Sequence, residues 1–294
     1  MKPEDFTLNK RYVVISDAPK EMSWEQYCQE SIAEYKQLLS ESSNDETVFQ
    51  KFFERNPAFV PGALGLGVQS GHYPYMNTLI SQPALGTMFT RIPDFMWLAQ
   101  DSLHFCPVFI EIERPNKRMF VKGNTESADF NQAMGQIRQW KMILNNPTNI
   151  QVFYDMFDIP IEMRNKHFHP QYLLIYGRRS EYENDRYLTG LRYENQRADL
   201  TIMSYDRLTP VFEYRQFVTC KVKTGRYVVQ HIPPTYRHRA DCAEELYRYT
   251  NFYEEIDNME KTTEERKGFL KDRFQYWCGF EGRISGMIIS QEGE

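Results

Sequence analysis

The stretch RIPDFMWLAQDSLHFCPVFIEIERP holds an aspartate after a proline, Asp94, and two glutamates one residue apart, Glu111 and Glu113, in an otherwise apolar run. Side chains alternate along a strand, so Phe109, Glu111 and Glu113 share one face while Val108, Ile110 and Ile112 take the other. Two carboxylates on one face of a buried strand repel each other and lose hydration unless something positive lies between them. A divalent cation is the simplest such partner, with Asp94 as a third ligand. Sixteen residues separate Asp94 from Glu111, a spacing that lets an antiparallel pair set the two side by side. Oxygen donors held this way suit a hard cation and leave positions for water and a phosphate. Such an ion lowers the pKa of bound water and neutralises charge building on a phosphoryl group. Singly, each acid has a plainer role: Asp94 as a turn former after Pro93, Glu113 as the solvent end of a strand beside Pro115. The three together, beside a covering helix, point to a metal site.

The elements that must position these acids follow from patterning. RYVVISD reads as a short strand, followed by a helix over 23–42 with Ser23 and Gln26 as a capping box. SSNDE breaks the chain, and a second helix over 45–56 is stopped by Asn56-Pro57. PGALGLGVQSGHYP is a loop or the edge of a first strand. Strands are expected over 92–99 and 106–113. A helix over 126–145 follows, whose Phe130, Ala133, Met134, Ile137 and Trp140 recur at helical spacing and so cover a sheet. QYLLIYG over 171–177 and ADLTIMSYDRL near 199–204 supply further strands. Strand, covering helix, strand implies a right-handed crossover and a mixed α/β sheet. Beyond position 210, RQFVTCKVKTGRYVVQHIPP alternates on both sides of Thr224-Gly225, which predicts a hairpin, and a charged helix follows over 262–277. The chain thus divides into three parts: an N-terminal extension (1–42), an α/β core (43–210) and a C-terminal hairpin and helical extension (211–294).

The 294 residues carry a net charge of −5, so any affinity for nucleic acid must rest on a local basic patch. One exists: from Tyr214 to Ala240 there is no acid, and Lys221, Lys223, Arg226, Arg237 and Arg239 recur among Tyr214, Tyr227 and Tyr236. Such a stretch could bind phosphates, with the rings stacking on bases, or simply be a solvated hairpin. Five scattered cysteines without C-x-x-C indicate free thiols in a reducing cytoplasm. No apolar leader or span of ~20 apolar residues is present, so a cytoplasmic protein is expected. His167-Phe168-His169 could chelate a metal, although a histidine pair in a loop beside Pro170 is more often incidental. No Walker, G-x-S-x-G or G-x-G-x-x-G motif occurs.

The segments ETVFQKFFERNPAFV, PDF, FIEIERP, NQAMGQIRQW and IMSYDRL, in this order over about residues 46–208, resemble the PD-(D/E)XK nuclease superfamily. Within it they resemble the Shedu family of prokaryotic anti-phage proteins. The resemblance implies a restriction-endonuclease-like core and a metal-dependent endonuclease acting on DNA, with Mg²⁺ or Mn²⁺ at Asp94 and Glu111. It also implies a homo-oligomer and a phage-derived trigger or partner protein. Glu113 departs from the pattern, because it stands where the family has a lysine. It could hold a second metal or act as a general base, or it could mark lost catalysis in a module that only binds DNA or a partner protein. Glu46 matches the acid on the first helix, though Ser43-x-x-Glu46 is also a capping-box pattern. Gln136, four residues before Trp140, matches a helix glutamine that supports the site or the DNA backbone. Its plainer reading is a solvated face beside Gln132 and Gln139. A metal-free, two-carboxylate glycosidase is the remaining alternative, and it would need a sugar cleft for which there is no separate signal.

Overall fold

The computed structural model describes residues 13, 15–66, 71–84, 92–238, 246–279 and 294. Helix α1 (Trp24–Glu41) is capped by Ser23, whose Oγ accepts from the Gln26 N–H at 3.2 Å. Helix α2 (Glu46–Arg55) ends at Asn56-Pro57 as expected, but its cap is Asp45, which accepts from the Thr47 N–H at 2.9 Å. Glu46 is therefore the first helical residue, and the capping box expected from Ser43 is not the one that starts the helix. Of the strand expected in RYVVISD, residues 11, 12 and 14 lie outside the described residues, and Ser16-Asp17 form a turn.

Three strands follow, β1 (Thr78–Ser81), β2 (Phe95–Gln100) and β3 (His104–Ile112), then a ribbon of β4 (Phe120–Val121) and β5 (Thr125–Glu126). The helices α3 (Ala128–Leu144), α4 (Pro147–Met156) and α5 (Ile161–Arg164) lead to β6 (His167–Phe168) and β7 (Gln171–Ile175). Next come α6 (Arg186–Glu194), β8 (Leu200–Met203), β9 (Val218–Lys223), β10 (Arg226–His231) and β11 (Tyr249–Thr250). The helices α7 (Phe252–Asp257) and α8 (Glu264–Cys278) close the described chain but for Glu294.

Nine strands form one mixed sheet in the order β11-β10-β9-β1-β2-β3-β7-β8, with β6 paired to β3. The meander β1-β2-β3 is antiparallel, while β7 lies parallel to β3 and β8 parallel to β7. α3 is the connection that makes β3 and β7 parallel, as a crossover must. Alternation divides the core in two. Met96, Phe109 and Tyr172 pack with Phe130, Ile137 and Trp140 of α3 on one side. Trp97, Val108, Ile110 and Leu173 pack with Phe49, Phe52 and Phe53 of α2 and Tyr35 of α1 on the other.

The hairpin expected at Thr224-Gly225 is present, with Lys223 opposite Arg226. Both turn residues have positive φ, 50° and 75°, as a two-residue loop matched to strand twist requires. The hairpin is not a separate layer: β9 runs parallel to β1, with Thr78 opposite Val218, so the sheet continues past residue 210. No helix among the described residues is long and apolar enough to cross a membrane.

Candidate active site

The acids gather where β2 begins and β3 ends. Phe95 lies opposite Ile110, and one step further along that register sets Asp94 beside Glu111. A hydrogen bond fixes this junction: Asp94 Oδ2 accepts from the Ile112 N–H at 2.8 Å. On the same face, Glu111 Oε2 accepts from Gln136 Nε2 of α3 at 2.8 Å. Gln136 is only 7% exposed, so it is a brace for Glu111 rather than part of a solvated face.

α2 closes the other side. The Asn116 N–H donates to the Ser43 carbonyl and Arg114 Nη1 to Asn44 Oδ1, both at 3.0 Å. These bonds tie the segment after β3 to the start of α2 and bring Glu46 near Glu113. Burial, then the Glu113 charge, raise the Glu46 carboxyl above its ordinary range. Gln50, one turn along, donates from Nε2 to Ser81 Oγ at 3.2 Å and reaches the Asp94 carbonyl at 3.5 Å. Its Oε1 is buried without a partner.

Asp94 carries the strongest electrostatic signature. Burial of its carboxyl, reinforced by Glu46 and Glu113 and opposed by the Ile112 N–H, pushes it up to about 8. A carboxyl in that condition holds a proton at neutral pH unless a cation replaces it. The Tyr205 phenol, also buried without a partner, is raised well above its ordinary value by burial and, more weakly, by Tyr35, Asp94, Glu46 and Glu113.

One cation close to Glu113 in sequence is not placed by strand alternation. Lys117 donates from Nζ to Glu113 Oε2 at 2.5 Å, both side chains being largely buried, 16% and 11% exposed. A turn in which the Lys117 N–H donates to the Arg114 carbonyl at 3.0 Å folds the lysine back. The positive charge absent from position 113 thus reaches the site from four residues on. The RPNK segment is the only signal that could have found it, as a turn after the strand end.

These residues suit a hard cation. Oxygen donors crowd one another on two adjacent strands, and the pressure on Asp94 is what a positive charge relieves. Among the described residues no three ligating side chains already close on a common point. Asp94 and Glu111 would therefore be the holders, because Mg²⁺ is commonly bound by one or two carboxylates with water and phosphate oxygens completing its shell. A cavity of about 360 Å³ lies elsewhere, bordered by Tyr27, Arg55, His231 and Met259, and none of the acids lines it.

The basic hairpin divides. β9 runs parallel to β1, and Ser81 at the end of β1 pairs with Phe95, so Lys221, Lys223 and Arg226 lie at the same end of the sheet as Asp94. Lys223 and Arg226 are exposed and Lys221 is half-buried. Arg237 is instead answered by Glu294 at 3.1 Å and Glu21 at 3.8 Å, and Arg239 lies outside the described residues. The tyrosines do not serve for stacking: Tyr214, Tyr227 and Tyr236 are all buried. Tyr227 donates its hydroxyl to the Phe157 carbonyl at 2.8 Å. The alternation that read as a basic, aromatic surface is that of a strand with one apolar face under the core.

Fold and site together define a mixed α/β protein with carboxylates from two central strands, and from the helix preceding them, converging at one sheet end. Residues 43–209 match the family described as Shedu protein SduA, C-terminal, and the match takes in more than half of the chain. The protein belongs to the Shedu family, with which anti-phage defence is associated. No curated protein matches it.

Proposed function

We propose that the chain is a metal-dependent endodeoxyribonuclease of the PD-(D/E)XK type, nicking or cleaving DNA in anti-phage defence with Mg²⁺ or Mn²⁺ as cofactor. The observation that carries this reading is Asp94 set beside Glu111 and pushed up to about 8, at the end of a helix–three-strand–helix–strand unit made by α2, β1, β2, β3, α3 and β7. Family membership, rather than any surface of the chain, supports a homo-oligomer and a phage-derived trigger.

When bound, the cation would polarise water and offset charge building on the phosphate. The chain's own residues do the rest. Asp94 is oriented by the Ile112 N–H and Glu111 by Gln136, so neither carboxylate must reorganise during reaction. Glu113 accepts from Lys117, which places an ammonium beside the acids, positioned to stabilise negative charge on a scissile phosphate. Lys223 and Arg226 would neutralise phosphates of the strand lying across the sheet end.

The test is supercoiled plasmid incubated with purified protein in Mg²⁺, in Mn²⁺ and in chelator. Metal-dependent nicking is expected, and Asp94→Ala and Glu111→Ala should each remove it. Activity surviving both substitutions would displace the site. Binding to plasmid without cutting, under every metal and with a trigger supplied, would leave the DNA-binding module as the better reading. Charge reversal at the hairpin tip, Lys223→Glu with Arg226→Glu, should weaken DNA binding. It should also flatten the slope of log K against log salt by about 0.9 for each phosphate no longer neutralised; an unchanged slope would take the hairpin out of the interface.

A further inference from the structure

At the other end of β3 three of the chain's six histidines come together. β6 pairs parallel to β3 with His104 opposite His167. The His167 N–H donates to the Leu103 carbonyl at 3.0 Å, and the His169 N–H to the Phe105 carbonyl at 2.8 Å. His167 and His169, two apart on one extended segment, share a face with each other and with His104 across the pair. The ring centroids stand 5.7 Å apart for His104 and His167, 6.0 Å for His104 and His169, and 6.3 Å for His167 and His169. A fourth group sets the chemistry of the first ring: an Asp101 oxygen lies 3.0 Å from His104 Nδ1. A carboxylate can only accept there, so the neutral ring carries its proton on Nδ1 and its lone pair on Nε2.

We propose that His104, His167 and His169 form a binding site for a borderline-soft divalent ion, Zn²⁺, Ni²⁺ or Cu²⁺, with Asp101 orienting His104. Imidazole nitrogens favour these ions, whereas the carboxylates at the other end of the strand favour Mg²⁺ and Mn²⁺. A carboxylate behind a ligating histidine fixes its tautomer and raises its basicity. With Zn–N bonds of about 2.0–2.1 Å in a tetrahedral shell, ligating rings have centroids roughly 5 Å apart. The observed spacings must close by about 1 Å. In this arrangement the ring nitrogens do not meet at one point. His167 and His169 are exposed, so an ion can gather them by side-chain rotation without repacking the core. From Glu111 to His104 is seven residues of strand, roughly 23 Å, too far for the two sites to share an ion. The inference does not depend on the nuclease reading.

The test is calorimetric titration of the full chain with Zn²⁺ in excess Mg²⁺, with circular dichroism to confirm folding of each variant. One Zn²⁺ per chain is expected. His167→Ala with His169→Ala should remove it, and Asp101→Asn should weaken it about tenfold. Asp94→Ala should bind Zn²⁺ as the parent does. No binding by the parent chain would overturn the proposal. So would equal affinity in the double histidine variant, or a Zn²⁺ signal absent from Asp94→Ala and kept without the histidines.

Discussion

Lys117→Met is expected to lower metal-dependent nicking by about 10²–10³-fold, the usual effect of removing one preorganised electrostatic group from an active site. Methionine keeps the apolar stem and removes only the ammonium, so poorer packing does not account for the fall. Two causes could produce it. The lysine could stabilise charge on the phosphate, or it could merely neutralise Glu113, which without its partner would raise the neighbouring acids further. The double variant separates them. If neutralisation is the whole role, Glu113→Gln restores activity to Lys117→Met, because no buried charge is left unanswered. If the ammonium acts on the phosphate, the double variant stays as slow as Lys117→Met, a coupling that single substitutions cannot show. Nicking by Lys117→Met at the parental rate would remove the lysine from the mechanism and make the 2.5 Å hydrogen bond to Glu113 structural only.

The difference between what the sequence could and could not show lies in the range of the interactions. β2, β3, α3 and the hairpin were legible because their signals are local: alternation, a 3.6-residue stripe from Phe130 to Trp140, and a turn at Thr224-Gly225. The pairing of Asp94 with Glu111 was legible for the same reason, since a short antiparallel connection makes register a matter of counting. β1 (Thr78–Ser81) lies beyond the glycine-rich segment 61–74 where the edge of a first strand was expected, because its place depends on parallel pairing with β9 about 140 residues away. The helices α4 and α6 were not read at all. At the site, the Glu46 cap was misplaced by two residues, since Ser43 and Asp45 both suit the position and only tertiary contact with Asn116 decides. Lys117 was invisible to strand alternation because the strand ends at Ile112, and a turn rather than the pleat directs the side chain. The histidines show the same limit: His167 and His169 are neighbours in sequence, but His104 joins them only through a short parallel pairing. The buried tyrosines are a different failure: Tyr227 sits on the apolar face that alternation with Arg226 already marked, whereas Tyr214 and Tyr236 lie outside the hairpin strands and are buried by tertiary packing.

In chelator, the parent chain should lose stability as pH rises from about 4 to 8, and Asp94→Asn should not share that loss. The sign follows from where the proton sits. Asp94 is pushed from 3.8 up to about 8 in the folded chain, first by burial and then by Glu46 and Glu113, whereas the unfolded chain releases its proton near the ordinary value. Between those two values the folded state binds one proton more than the unfolded state, so stability falls with rising pH. The limiting slope is about 1.4 kcal/mol per pH unit; the stabilisation is fully present below the ordinary value and gone once pH passes the folded one. Asparagine has nothing to release. The melting temperature of Asp94→Asn relative to the parent should therefore climb from pH 5 to about pH 8 and level off above it. Millimolar Mg²⁺ should reverse the order at high pH, because the ionised carboxylate then has the partner it lacks and the ion binds the folded state alone. Melting curves of the two proteins, with and without Mg²⁺ across that range, decide the matter. Parallel pH profiles in chelator would mean that Asp94 is ionised without cost in the folded chain, and the electrostatic case for a cation at this sheet end would fall with it.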